Sequence, residues 1–334
     1  MKQTTFAGQA FQAKKRQTKR ERFLGEMDQV VPWERLVAVV APHYPTTGRR
    51  GRPPMPLEMM LRIYFMQQWY ALSDEAMEDA LYEIESMRVF AGLELIDDAI
   101  PDATTLTKFR HRLERHQLTA ALFNTINAML EERGILLQSG TMVDATIIHT
   151  APSTKNREKK RDPDAHQTKK NNQYFFGMKL HVGADVRSGV VHTCAVTAAN
   201  VADIKIFPDL LREDDPAVFG DSAYQKRKFK RAARAAGVFY GVSLKGSSTY
   251  PLTEANKRHN RRLSSIRSRV EHIFRVLKCQ FGYRKTRYRG REKNAAQMFM
   301  LMGLTNLYLV RGQVKMATNY RTDRTLVLSA RSPR

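Results

Sequence analysis

The apolar residues of this chain change their period at Gly134, and that change limits the fold more than any other feature of the sequence. Before it they recur at three and four. Leu57, Met60, Leu61, Tyr64 and Phe65 form one apolar helical face after Pro56. Ser73 is a candidate N-cap for a second helix through Met77, Leu81 and Ile84, and Asp102 for a third, with Leu106, Phe109 and Leu113 inside. In that third helix Thr104, Thr105, Lys108, Arg110, His111 and Arg112 are expected outside. Its polar, basic N-terminal turn reads either as the recognition helix of a helix-turn-helix or as an ordinary surface helix. A helix from Leu118 to Arg133 stops at Gly134.

After Gly134 the segment Thr141 to Ile148 is rich in β-branched residues. Phe176, Met178, Leu180 and Val182 then alternate with Gly177, Lys179, His181 and Gly183. Further strands are expected at Val190 to Thr197, Ala217 to Gly220, and Val238 to Leu244. Helices are expected at Asp203 to Leu211 and Lys226 to Ala236. The order β-β-β-α-β-α-β-α gives antiparallel neighbours first and parallel crossovers later. The expected fold is therefore α/β: a mixed five-stranded sheet of ribonuclease-H-like type, preceded by an α-helical domain. Residues 1–44 read as a basic arm and a short helix (Phe23, Leu24, Val30, Trp33 and Leu36 on its apolar side). Residues 45–135 read as a helical domain, 136–311 as the catalytic domain, and 312–334 as a flexible basic tail. Gly48 to Pro54 is a hinge by composition, although arginines among Gly and Pro also suit a minor groove. Residues 151–172 and 245–262 read as basic loops.

Charge narrows the partner. Lys and Arg number 56 against 33 Asp and Glu, a formal net charge of +23. An excess of that size attracts a phosphate backbone and speeds encounter with it. There are two cysteines, Cys194 and Cys279, too few for a disulfide framework or a cysteine zinc site. Each falls in an apolar run and is expected as a buried reduced thiol. No run approaches the roughly 20 apolar residues that a membrane span requires, and the first residues carry no secretory core. A cytoplasmic protein without membrane partners is expected.

Three carboxylates interrupt this basic background. Asp144 sits within a hydrophobic strand, where a lone charge is costly, and Asp221 ends Val218-Phe219-Gly220, where open α/β sheets place ligands. Either alone reads as a capped or salt-bridged Asp. Glu271 changes the weighing. At about 100° per residue from Arg267, Ser264, Glu271 and Lys278 fall within about 60° of it, while Leu263, Val270, Ile273, Phe274 and Leu277 form a separate apolar arc. One face is buried and the other presents Arg, Glu and Lys. Arg267 can pair with Glu271 or clamp a phosphate, and Lys278, about 10.5 Å further along the axis, reaches for a phosphate or base. Three hard oxygen ligands on a basic chain suggest divalent-metal chemistry on nucleic acid. His149, His181 and His192 lack zinc-ligand spacing. Asn200 and Asp203 read as helix caps.

The spacing of Arg267, Glu271 and Lys278 resembles the signature of DDE-type bacterial insertion-sequence transposases. Val143-Asp144-Ala145-Thr146 and Gly220-Asp221-Ser222-Ala223-Tyr224 resemble the settings of that family's first two carboxylates. The block from Phe281 to Gly290 with Lys293-Asn294, and the segment from Gly51 to Leu118, are similar to the insertion sequence 5 group. Ser264 departs from the family, which commonly has Tyr there. The resemblance implies a transposase that binds the terminal inverted repeats of an element and carries out metal-dependent strand cleavage and strand transfer. The catalytic and metal-binding residues would be Asp144, Asp221 and Glu271, holding two Mg²⁺ ions, with Mn²⁺ as a substitute. The DNA contacts would come from Arg267, Lys278, Arg275, Arg287, Arg289, Thr104, Thr105, Lys108 and Arg112. The implied partners are double-stranded DNA, as inverted repeats and target, and further copies of the chain in a dimer or larger synaptic complex at the bacterial nucleoid. The rival expectations are a nuclease of the same fold without strand transfer and a non-catalytic DNA-binding derivative.

Overall fold

The computed structural model describes residues 13–46, 53–170 and 172–329, with residues 316–329 as helical backbone. Gly48 to Arg52 of the expected hinge and the first twelve residues of the expected arm lie outside the described residues.

The helical part begins earlier than the arm reading placed it. Helix α1 (Lys19–Val30) starts on a capping box in which Thr18 and Glu21 satisfy each other's backbone N–H groups. Pro32 then ends any continuous helix, so the single short helix expected here is two, α1 and α2 (Trp33–Val40). Helix α3 (Leu57–Tyr70) was read as one-faced. It is buried almost all round, Met59, Ile63, Met66 and Trp69 adding to the expected face, because α1, α2 and later helices enclose it. Helices α4 (Asp74–Glu83), α5 (Glu85–Ala91), α6 (Ala103–Arg115) and α7 (Leu118–Glu132) follow. Ser73 and Asp102 cap α4 and α6 as expected, at 3.1 and 2.6 Å.

Arg110 is not an outer residue of α6. It is 8% exposed, held by Asp74 at 2.9 Å and Glu114 at 3.3 Å, with its guanidinium over the Tyr288 ring. A charge count cannot distinguish such an arginine from a solvated one; the partner across the helix pair decides it.

The sheet has six strands, one more than expected. They are β1 (Thr141–His149), β2 (His166–Lys170), β3 (Gln173–Asp185), β4 (Val191–Ala198), β5 (Ala217–Gly220) and β6 (Phe239–Val242). The additional strand, β2, lies in the expected basic loop. It has no apolar alternation and exists because its backbone pairs with the N-terminal part of β3. β3 runs antiparallel to β1 and to β4, while β1, β5 and β6 are parallel. The helix expected over Asp203 to Leu211 shortens to α8 (Asp203–Ile206), and Pro208 begins a 3-10 turn. Helix α9 (Arg227–Ala235) joins β5 to β6. Helix α10 (Glu254–Arg275) continues as a π-helical turn over Val276–Gln280. The expected tail is helix for most of its length: α11 runs Arg291–Ser329 and Val314 is fully buried.

One apolar core joins the N-terminal helices, α10, α11 and one sheet face, from Leu24 to Val314. A smaller cluster, including Val143, Phe207, Val218 and Tyr224, fills the other face. At the centre of the larger core Asn306 of α11 donates to Asn127 Oδ1 of α7 at 2.8 Å and to the Val191 carbonyl at 2.7 Å. It also accepts from the Val191 N–H at 2.8 Å. Buried amides satisfied in this way fix three elements in one register. The buried thiol expected at both cysteines is found at Cys194 but not at Cys279, which is exposed. Among the described residues no helix is long and apolar enough to cross a membrane.

Candidate active site

Strand register brings the first two carboxylates together. Met142 stands beside Phe219 in the parallel pair of β1 and β5. Two residues on, by the period-two alternation, Asp144 and Asp221 come to matching positions on the same side of the sheet. Asp144 Oδ1 accepts its own neighbour's N–H, from Ala145, at 2.8 Å. Asp221 Oδ1 accepts from Ala223 at 2.8 Å and so starts the 3-10 turn Ser222–Tyr224, which fixes the direction of its side chain.

Helix α10 crosses that side of the sheet, burying Leu263, Val270 and Ile273 and turning Arg267 toward the strands. One guanidinium nitrogen, Nη1, stands 3.8 Å from Asp144 Oδ2 and 3.8 Å from Asp221 Oδ2. A single cationic group is thus shared by two carboxylates from different strands. Burial pushes the Asp144 carboxyl up to about 6, against the Ala145 hydrogen bond and the Arg267 charge, while the Asp221 charge pushes the same way as burial.

Glu271 is not brought to the pair. It is exposed one turn beyond Arg267, and among the described residues no three acidic, histidine or cysteine side chains stand close enough to share a metal ion. The expected Arg267–Glu271 pair does not form; Arg267 faces the two aspartates instead.

Lys278 lies in the π-helical turn, beyond the α geometry on which the helical wheel rests. Its ammonium is half-buried and donates to the Ile147 carbonyl of β1 at 2.9 Å. Burial lowers its pKa, and Lys170 and Arg284 lower it further. Lys170 also lies close enough to Asp144 to act on that carboxyl. Sequence reasoning left Lys170 in a loop, and only the pairing of β2 with β3 brings it here.

The other candidates divide. Arg275, Thr104 and Lys108 are exposed, and Thr105 is partly so. Arg112 donates to the His43 carbonyl at 3.1 Å and lies over the Tyr44 ring. Arg287 donates to the Leu72 carbonyl at 2.6 Å, and Arg289 pairs with Glu158 at 2.7 Å. These last three therefore hold loops and helices together within the chain.

Beneath the aspartates, on the opposite sheet face, is a polar group that the sequence reading missed. Asp203 is not a helix cap; it accepts from Lys179 Nζ at 2.9 Å. His181 is fully buried with Nε2 2.8 Å from Thr197 Oγ1, and burial depresses its pKa to about 4, so it is a neutral core histidine. Tyr224 is buried with its hydroxyl unpartnered among the described residues. Burial raises its pKa, and so do Asp203, Asp144 and Asp221. The alternation of β3 was the available signal, since it sets Lys179 and His181 on the face away from Leu180 and Val182.

Two family models match the chain. One, described as Transposase DDE domain, covers residues 136–307, and the other, described as Transposase domain (DUF772), covers residues 11–112. No solved structure matches at a significant level.

Proposed function

The chain belongs to the transposases with a DDE domain, and from that premise we propose that it cuts DNA at the ends of a mobile element of the insertion sequence 5 group and joins those ends to target DNA. The observation that carries this reading is the sharing of Arg267 by Asp144 and Asp221 on a chain with a net charge of +23. Two carboxylates facing one cationic group on a strongly basic chain form a cation site poised beside a polyanion. The sheet supports a ribonuclease-H-like fold: β4-β3-β1-β5-β6, with β3 antiparallel to its neighbours and the last three strands parallel.

Asp144 and Asp221 suit Mg²⁺, which takes carboxylate oxygens and keeps waters and substrate phosphate in its shell. Glu271, one turn along α10 from Arg267 on the same stripe, would complete the set. Bound there, the ions supply Lewis-acid stabilisation of phosphate oxygens and a water of lowered pKa. The chain's own groups do the positioning. Arg267 faces both aspartates and would be a donor for a phosphate oxygen beside them. Lys278 ties the end of α10 to β1, and its other N–H donors, with Lys170, are directed to the DNA backbone. Two element ends meet one target, so the active form is a dimer or larger assembly.

The test is the full chain with labelled duplex DNA from either flank of its coding sequence, a supercoiled plasmid, and Mg²⁺. Cut ends covalently joined to plasmid are expected. Cut ends alone would make it a nuclease, and binding without cutting a non-catalytic protein.

Acidity gives a second expectation. Between about pH 4, the ordinary range of an Asp in an unfolded chain, and the raised value of about 6, the folded chain binds the extra proton. The folded form, without metal, therefore loses stability as pH rises through that window, and a cation that needs the carboxylate binds less well as pH falls through it. The Mg²⁺ concentration for half-maximal cleavage should rise severalfold from about pH 7 to about pH 5. An unchanged requirement over that range would remove Asp144 from the ligands.

A further inference from the structure

Helix α9 separates its charges cleanly. At about 100° per residue from Arg227, the side chains of Lys230, Arg234, Arg227, Arg231 and Lys228 fall within an arc of about 160°, and Phe229 and Ala233 lie opposite. The five cations are exposed, whereas Phe229 and Ala233 are partly buried, with the Phe229 ring tilted against that of Phe207 at 5.1 Å. Among the described residues none of the five has an acidic partner.

Phe229 packs into the smaller apolar cluster, so α9 covers the sheet face opposite the aspartates and meets the site at its N-terminal end. The turn after Asp221 leads straight into α9. Gln225 in that connection accepts from the Lys245 N–H at 3.0 Å. The next residue back, Leu244, is held by both amide groups of Asn260, each at 2.9 Å. Asn260 lies on α10 two turns before Arg267 and on its stripe. Lys257, Arg258, Arg261 and Arg262 of the same helix end are exposed beside it.

A second basic surface lies at the far end of β1. His149 exchanges backbone hydrogen bonds with the 284–286 segment, and Lys170, Lys278 and Arg284 act on one another there. That segment is fastened to the N-terminal helices through Arg287 and Leu72 and through Tyr288 and Arg110. The far surface is therefore continuous with α6, the helix that carries Thr104 and Lys108.

We propose that the α9 surface, with the start of α10, is the track for the target duplex, the far surface receiving the element's end. The inference rests on the transposase reading: joining requires two duplexes to reach one pair of carboxylates, and the chain presents two basic surfaces, one following the turn after Asp221 and one at the His149 end of β1. A helix face about 10.5 Å long spans about six phosphate charges of a duplex measured along its axis. Five cations match that density.

The test uses the full chain with Lys228→Ala, Arg231→Ala and Arg234→Ala combined. Alanine keeps helix propensity, and circular dichroism and thermal midpoint verify the fold. Cleavage of uncut ends and joining of pre-cut ends to plasmid are measured over a range of plasmid concentrations. The ratio of joining to cleavage is expected to fall about tenfold at low plasmid and to recover as plasmid is raised. The salt slope of plasmid binding is expected to drop by about 3. Joining unchanged, or joining and cleavage reduced together, would overturn the assignment while leaving the transposase reading intact. An unaltered chain that neither cuts nor joins would end both.

Discussion

Asp144→Asn is expected to lower strand cleavage by about 10³-fold, the scale lost when a preorganised charge-stabilising group is removed from a site, while end binding stays within about twofold. Asparagine keeps the volume and the acceptor oxygen that meets the Ala145 N–H. What it removes is the charge that faces Arg267 and that a divalent cation needs. Asp221→Asn should match it, since the register of β1 and β5 makes the two positions equivalent about the same cation. Glu271→Gln is the sharper experiment. The structure leaves Glu271 exposed and apart from the pair, so an equal loss would mean that it joins them when metal and DNA are bound. Near-normal cutting by that variant would reduce the set to two aspartates. Cleavage of a labelled end at saturating Mg²⁺, beside a filter-binding or anisotropy titration, separates these outcomes.

Arg110→Ala should destabilise the fold by about 3–5 kcal/mol, the cost of breaking a buried pair and leaving its partner uncompensated. Burial raises the Asp74 carboxyl, but hydrogen bonds from Thr107, Gln67 and Arg110 outweigh it and hold the group below the usual carboxylate range. Arg110 therefore neutralises a charge that α4 cannot expose, and its guanidinium covers the ring of Tyr288. Lys108, two residues away and exposed, should change stability by no more than about 0.5 kcal/mol when replaced. Urea unfolding of both variants decides the matter. An Arg110→Ala protein as stable as the unaltered chain would overturn the structural role of the pair.

These cases mark what the sequence could and could not reveal. Helix caps at Ser73 and Asp102 were legible because a short polar side chain before an apolar period has one common use. The pairing of Asp144 with Asp221 was legible because both end apolar runs that must be neighbouring strands. β2 was not, since a strand exposed on both faces carries no period, and its existence is a property of β3's free backbone. Arg110 was misjudged as an outer residue, and the intrachain bonds of Arg112 and Arg287 were not foreseen, for one reason: the carbonyls and carboxylates that hold them come from other segments. The bond of Lys278 to Ile147 was not legible, because a helical wheel assumes α geometry through Val276–Gln280, where the helix widens.

The amide cluster of Asn127, Asn306 and the Val191 backbone has a consequence for how such a gene can be pruned. It lies in a core to which the first described helix and the last both contribute, Leu24 and Met27 from one, Met298 to Val314 from the other. A message cut short before α11 would yield a chain whose leading helices lose the apolar residues from Met298 to Val314 that complete their core. On the proposed reading, a silent competitor for the element's ends arises by point change at a carboxylate in a protein of full length, and not by loss of the chain from α11 onward.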